Sequence, residues 1–355
     1  MPKENMLSEI KSNFFRQAEK RIERETIDVE KIHNLSITTG EADVEFFLHH
    51  EPRVEIVLET YENGPELLVH YEGNSLKIEA KSDQDIIQSI FLRRTPTCSL
   101  QITLPNNISD EYLIKTGSGD VDLDGLELVK LEVTTGSGDI RISNIVTAMT
   151  EISSGSGDLY IQSVLSEEMI VQTSSGDAYL KRISGNLFAS SSSGDIDVID
   201  CQCERIKLKS SSGDIKLMDC QSKELLSQSS SGDMKGEEIQ TVDCQLMSTS
   251  GDVTFKNFIG NVLAKSSSGD LNFYFESGSN FVMQSGSGDI NVYLQYPQVD
   301  AKVEVKTGSG EFETNLTMKM EKFSSKYITG KIGEAVNSFI FSTGSGDIKL
   351  INKSN

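Results

Sequence analysis

The chain has no tryptophan, six prolines and five cysteines in 355 residues, and its 33 lysines and arginines are outnumbered by 54 aspartates and glutamates. Each shortage excludes something. Cys98, Cys201, Cys203, Cys220 and Cys244 are odd in number and scattered through a long chain, so reduced thiols are expected and not the disulfide framework of a small secreted domain. A net charge of −21 repels phosphate, which argues against a nucleic-acid partner and disfavours bulk attraction to anionic lipid. No run approaches 18 consecutive apolar residues, so no transmembrane helix is expected. Residues 1–25 mix Lys and Arg with Glu without the apolar centre of a secretory signal, and the last residues carry no anchor-like tail. The expected location is cytoplasmic, with membrane association as an extension of it.

Familiar catalytic spacings are missing too. There is no phosphate-binding P-loop, no nucleophile elbow and no dinucleotide fingerprint. The four histidines (His33, His49, His50, His70) lie outside the repeats described below and lack zinc-type spacing with cysteine. No cofactor or metal is expected, and no enzyme.

What the sequence does have is a repeat. A pentapeptide of the form Ser/Thr-Gly/Ser/Thr-Ser-Gly-Asp ends at Asp120, Asp139, Asp158, Asp177, Asp195, Asp214, Asp233, Asp252, Asp270 and Asp289, in steps of 19 or 18 residues. Two further copies follow at wider spacing, Thr307–Glu311 with Glu in place of Asp, and Thr343–Asp347. A fixed period near 20 is the signature of a solenoid. Apolar residues stand one and three places after the Asp (Ile140 and Ile142, Leu159 and Ile161, Ile215 and Leu217) and in most copies eight and six places before it. The local step of two is that of a half-buried strand, with no helical period. Each unit is therefore a strand, a Ser/Gly turn, a second strand and a bend, and must stack on its neighbours in parallel to bury its apolar face.

The expected fold is all-β: a single-stranded parallel β-helix of roughly 19-residue coils, right-handed by the general rule for parallel connections, with a short N-terminal α-helix. In the turn, the Gly before each Asp is expected to supply positive φ, and the Asp to accept backbone N–H groups within the turn. The Asp column (Asp120, Asp139, Asp158, Asp177, Asp195, Asp214, Asp233, Asp252, Asp270, Asp289 and Asp347) is then structural. Calcium, the sharper alternative, wants six to eight oxygens and usually several carboxylates, where each coil offers one.

These serial Ser-Ser-Gly-Asp turns, with Leu35–Phe46 at the start and residues 330–334 and 339–350 at the end, resemble the bacterial "putative adhesin" repeat family, which includes LiaG-like and YvlB/LiaX-like cell-envelope stress proteins. The resemblance covers roughly residues 32–352 and carries no catalytic or ligand motif. It implies a β-helix and a role in envelope-stress signalling, beside membrane proteins of the LiaF or phage-shock type.

The chain divides on this reading into an amphipathic helix and linker (1–31), irregular first coils and capping strands (32–110), the regular repeat (111–314) and a C-terminal insertion with the last coil (315–355). In the helix, expected over residues 5–25, Leu7, Ile10, Phe14, Ala18 and Ile22 share a face with Phe15 at its edge. Function is expected where the pattern breaks. Candidate partner or peripheral membrane contacts are Leu7, Ile10, Phe14 and Phe15, and Phe91, Arg93 and Arg94 in the apolar stretch 86–94. The leading function is a non-enzymatic scaffold or sensor that binds a protein or peptide partner, which could be a membrane protein of the envelope-stress pathway. The alternatives are a surface or secreted adhesin and a polysaccharide-active β-helix enzyme. The enzyme reading suffers because coils this regular leave no spare loops for a site.

Overall fold

The structure is a computed structural model and describes residues 19–29, 31–82, 97–105 and 108–354. Two units are distinguished, Met1–Asp122 and Leu123–Asn355. Every regular element among the described residues is a β-strand.

The expected N-terminal helix is overturned. Lys20–Asp28, which includes its last turn, is a strand running antiparallel to Arg53–Tyr61 in unbroken register from Lys20↔Tyr61 to Asp28↔Arg53. The apolar partners Val54, Ile56 and Leu58 are fully buried, and alternation along this segment fits a sheet with one covered face. Leu7, Ile10, Phe14 and Phe15 lie outside the described residues, as do Phe91, Arg93 and Arg94.

In the first unit, spatial order departs from chain order. Asn34–Thr39 lies between Ser75–Lys81 and Glu111–Thr116, parallel to both. On the other side of the same coil, Asp43–His49 lies between Ser99–Pro105 and the strand that begins at Val121. Antiparallel strands close the outer edges: Glu66–Glu72 pairs with Ser75–Lys81, and Arg53–Tyr61 with Ser99–Pro105. A bare parallel edge would expose a row of unpaired backbone groups, and these hairpins cover it.

The second unit is the regular solenoid. Position for position, Ile140 pairs with Leu159, then Ala178, Ile196, Ile215, Met234, Val253, Leu271 and Ile290. These residues and their partners two places on form an interior column that is almost wholly shielded from solvent. Gly236 is the exception in the apolar pattern. A Cβ there would lie 2.3 Å from the Phe255 ring, so glycine makes room for an aromatic in the next coil. From Phe255 the core becomes a phenylalanine stack, with ring centroids 5.5 Å apart for Phe255–Phe273, 3.8 Å for Phe275–Phe281 and 4.5 Å for Phe281–Phe339.

The two 18-residue steps have a local cause. Gly185 and Gly260 sit at positive φ (116° and 144°) at the corner where the register skips one residue of the coil beneath. Glycine tolerates that backbone, and the coil closes one residue shorter.

The final coils again break chain order. Asn280–Ser285 pairs with Asn337–Thr343, and Ile290–Leu294 with Ile348–Asn352. The intervening coil, Ala301–Thr307 and Phe312–Thr314, stacks beyond that last one. Its Ala301–Thr307 strand is covered by Tyr327–Ile332, which pairs in turn with Lys319–Ser324, both antiparallel.

Candidate functional sites

The Ser/Gly/Asp ridge is built by three interactions. Its first hydroxyl accepts the N–H of the Gly three residues on, as in Gly157 N to Ser154 Oγ at 2.9 Å and Gly288 N to Ser285 Oγ at 2.8 Å. The glycine before Asp does not adopt positive φ, contrary to expectation; positive φ among glycines occurs at Gly73, Gly125, Gly185, Gly260 and Gly333. Its requirement is closeness. A Cβ at Gly157, Gly176, Gly194, Gly213, Gly232 or Gly251 would lie between 1.9 and 2.1 Å from the carbonyl oxygen of the equivalent glycine one coil below.

The aspartates bond along the ridge and not within their own turns. From Asp139 onward each Oδ1 accepts the backbone N–H of the Asp one coil above: Asp158 N to Asp139 at 2.9 Å, Asp177 N to Asp158 at 2.9 Å, Asp195 N to Asp177 at 2.8 Å, Asp214 N to Asp195 at 2.8 Å and Asp233 N to Asp214 at 2.9 Å. The series continues through Asp252, Asp270 and Asp289. It then jumps to Asp347 (2.7 Å) and finishes at Glu311, whose N–H donates to Asp347 at 2.9 Å. In the first unit Asp120 N donates to Asp43 Oδ1 at 2.9 Å. Thr39–Asp43 is thus a degenerate copy of the turn, which keeps the Thr, the first Gly and the Asp of Thr-Gly-Ser-Gly-Asp and changes the two residues between them.

The outer carboxylate oxygens meet cations. Arg141 approaches Asp139 at 2.8 Å, and Lys235 reaches Asp233 at 3.1 Å and Asp214 at 3.6 Å. Among the described residues no three His, Cys, Asp or Glu side chains converge as a metal site. The cysteines are all buried and unpaired. Burial raises the Cys98 thiol to about 11 and the Cys203 thiol to about 12, and pushes Cys244 up as well. For Cys220 the hydrogen bond with Cys201 comes first and burial second, both in the same direction. Thiols held neutral in this way are poor nucleophiles and poor metal ligands.

Two surfaces of the second unit are not accounted for by folding. One is an outward stripe on the solenoid wall, seven places before the Asp that ends each turn. Ile170, Phe188, Leu226, Leu263, Val282 and Ile340 stand there half-buried, interrupted by Lys207 and Gln245. Lys207 lies over the Phe188 ring at 5.9 Å. The other is a hollow of about 300 Å³ at the C-terminal end, between Phe312 and the hairpin turn Phe323–Ile328.

The chain is similar to a "putative lipid binding protein" from Parabacteroides distasonis (19% identity, 77% of this chain and 96% of that one, TM-score 0.40). It is also similar to a "putative adhesin" from the same species (10%, 69% and 97%, TM-score 0.34) and another from Bacteroides fragilis (12%, 95% and 99%, TM-score 0.25). No curated protein matches. The Toastrack DUF4097 family model matches residues 32–218 and 186–351. Those two overlapping matches together span most of the chain, and the chain belongs to the Toastrack DUF4097 family.

Proposed function

We propose that this protein is a non-enzymatic binding scaffold that holds a protein or peptide partner on its solenoid surface, in the bacterial cell-envelope stress response. The observation that carries the binding reading is the outward apolar stripe from Ile170 to Ile340. These residues alternate with the core positions and contribute little to the interior, yet six of them are large and apolar on a strongly acidic protein. Apolar surface kept in line on a rigid wall fits recognition better than folding. The envelope-stress assignment draws on the likeness of the serial turns to LiaG-like and YvlB/LiaX-like proteins. A cytoplasmic, membrane-associated location belongs to the same proposal.

The test pairs location with surface chemistry. Cells under envelope stress are fractionated, and the partner is crosslinked to wild-type protein and to Phe188→Asp and Leu226→Asp variants. The scaffold reading expects a discrete partner recovered with wild type and lost from both variants while their melting temperatures hold. Recovery of the protein mainly from the culture medium or wall of intact cells would favour the adhesin alternative.

A further inference from the structure

The ladder has an open end. In each coil step from Asp139 upward, two groups of the lower coil are filled by the upper one. The carboxylate accepts the upper Asp N–H, and the N–H of the following residue donates to the upper Asp carbonyl: Leu159 N to Asp177 O (2.8 Å), Ile215 N to Asp233 O (2.8 Å), Ile290 N to Asp347 O (2.9 Å) and Ile348 N to Glu311 O (2.8 Å). Glu311 and Phe312 occupy these positions in the outermost coil. Among the described residues Phe312–Thr314 pairs only with Ile348–Asn352, on its inner side. The other half of the same coil, Ala301–Thr307, is already covered by Tyr327–Ile332.

The capping hairpin therefore closes one half of the end and leaves the other half bare. Beside the bare strand is the 300 Å³ hollow, walled by Phe312, Phe323 and Ile328 with Glu311 and Lys326 at its rim. Phe323 is 76% exposed. The departure from Asp to Glu occurs at the one turn whose carboxylate has no coil above it, and the longer side chain reaches further out.

We infer that this end is a peptide-binding site, at which an extended strand of a partner adds to Phe312–Thr314, donates a backbone N–H to Glu311, accepts the Phe312 N–H and places an apolar side chain against Phe312 and Phe323. An extended strand is the fitting occupant because only it presents a free N–H and C=O at this spacing; a helix has consumed its own. The repeat itself states the complement, since a Gly-Asp-apolar strand fills the equivalent groups on every coil below. A whole coil from a second copy does not fit, because the hairpin occupies half the end. The inference rests on the binding-scaffold reading and adds to it a second place, apart from the lateral stripe, with its own chemistry.

The probe is a labelled peptide of residues 343–352 of this chain, titrated by fluorescence anisotropy onto the full-length protein. Saturable binding is expected. Methylating the peptide nitrogen at the position of Asp347, which faces Glu311, should weaken it about tenfold or more, and methylating the next nitrogen, which faces away, should not. Glu311→Ala should weaken binding about tenfold as well; the side chain is exposed, so the fold is retained. Phe188→Asp, on the lateral stripe, should leave peptide binding unchanged, which separates failure here from failure of the scaffold reading. Absence of binding, or equal loss with both methylated peptides, would overturn the inference. So would binding indifferent to Glu311→Ala, because the peptide would then be displacing the chain's own last strand. A concentration-dependent dimer abolished by Glu311→Ala would also overturn it, by making a second copy the occupant.

Discussion

Replacing Gly213 by alanine tests the claim that the ridge glycines serve closeness and not conformational freedom. The new Cβ would stand 2.0 Å from the Gly194 carbonyl oxygen, 2.4 Å from its carbon and 2.9 Å from the Asp195 nitrogen. All three are backbone atoms, so no side chain can swing aside and the two coils must separate locally. Separation strains three bonds across the step: Asp214 N to Asp195 Oδ1 (2.8 Å), Ile196 N to Asp214 O (2.9 Å) and Ser212 N to Ser192 O (3.1 Å). Losing two or three of these at about 0.5–1.5 kcal/mol each, less about 0.4–1 kcal/mol regained from a stiffer unfolded chain, leaves a net cost of roughly 1–3 kcal/mol. At about 2–4 °C per kcal/mol, a thermal melt followed by circular dichroism should fall by about 2–12 °C. Asp219→Gly is the control. Asp219 sits at φ 53°, in the left-handed region, so glycine there relieves strain of about 1–2 kcal/mol at the expense of about 0.5–1 kcal/mol in chain entropy. Its melt should hold or rise slightly. An unchanged melt for Gly213→Ala, or an equal fall for both variants, would refute the reasoning.

Three further outcomes follow from the same contacts. Asp214→Ala orphans the Asp233 N–H and should destabilise by about 1.5–3 kcal/mol in urea titration, while Asp214→Asn, which keeps an acceptor, should lose less than half as much. Deleting residues 1–29 uncovers Arg53–Tyr61 along its whole length, and is expected to lower the melting temperature and promote aggregation seen by light scattering; unchanged behaviour would show that this strand is dispensable. The Asp300 carboxylate accepts the Val336 N–H at 2.7 Å and the Glu334 N–H at 3.1 Å, bonds that hold it below the usual carboxylate range. A depressed folded value means that its stabilisation is present above the unfolded value of about 4 and fades as pH falls through the lowered one. Wild type should therefore melt above Asp300→Ala at neutral pH and the two should converge in acid.

The parallel solenoid was legible because its cause is local and repeated: a step of two in apolar residues on each side of a recurring turn, at a nearly constant period of 18 or 19 residues. The roles inside the turn were less legible. Glycine before aspartate suggests positive φ, because that is its commonest use, yet here the left-handed corners fall five residues after the Asp, on Asn144, Ser163, Arg182, Asp200, Asp219, Glu238 and Asn257. Four of those seven are Asn or Asp, the types that enter the left-handed region most readily, but Ser163, Arg182 and Glu238 carry no such mark. Likewise, a carboxylate that accepts from its own turn and one that accepts from the next coil leave the same sequence. The N-terminal error has a similar source. Ile22 falls on a helical stripe with Leu7, Ile10, Phe14 and Ala18 when that stretch of sequence is read alone, and the strand from Lys20 is selected by its partner Arg53–Tyr61, which is distant in sequence.

Chain order hides the stacking order at both ends, and the ladder recovers it. Read along the sequence, Thr307–Glu311 is the eleventh turn and Thr343–Asp347 the twelfth, so the glutamate looks like a blemish within the series. Read along the hydrogen bonds, Asp289 is followed by Asp347 and Asp347 by Glu311, which makes the glutamate terminal. A carboxylate within the ladder must reach an N–H held at the spacing between coils, and Asp has the length for it. At the terminus that constraint is gone, so residue type is free to answer to something else. The same holds at Thr39–Asp43, where Glu41 and Ala42 replace the usual Ser and Gly while Asp43, which still accepts the Asp120 N–H, is kept. Departures from the repeat therefore fall where a coil lacks an ordinary neighbour. Function is best sought in the positions that stacking has released.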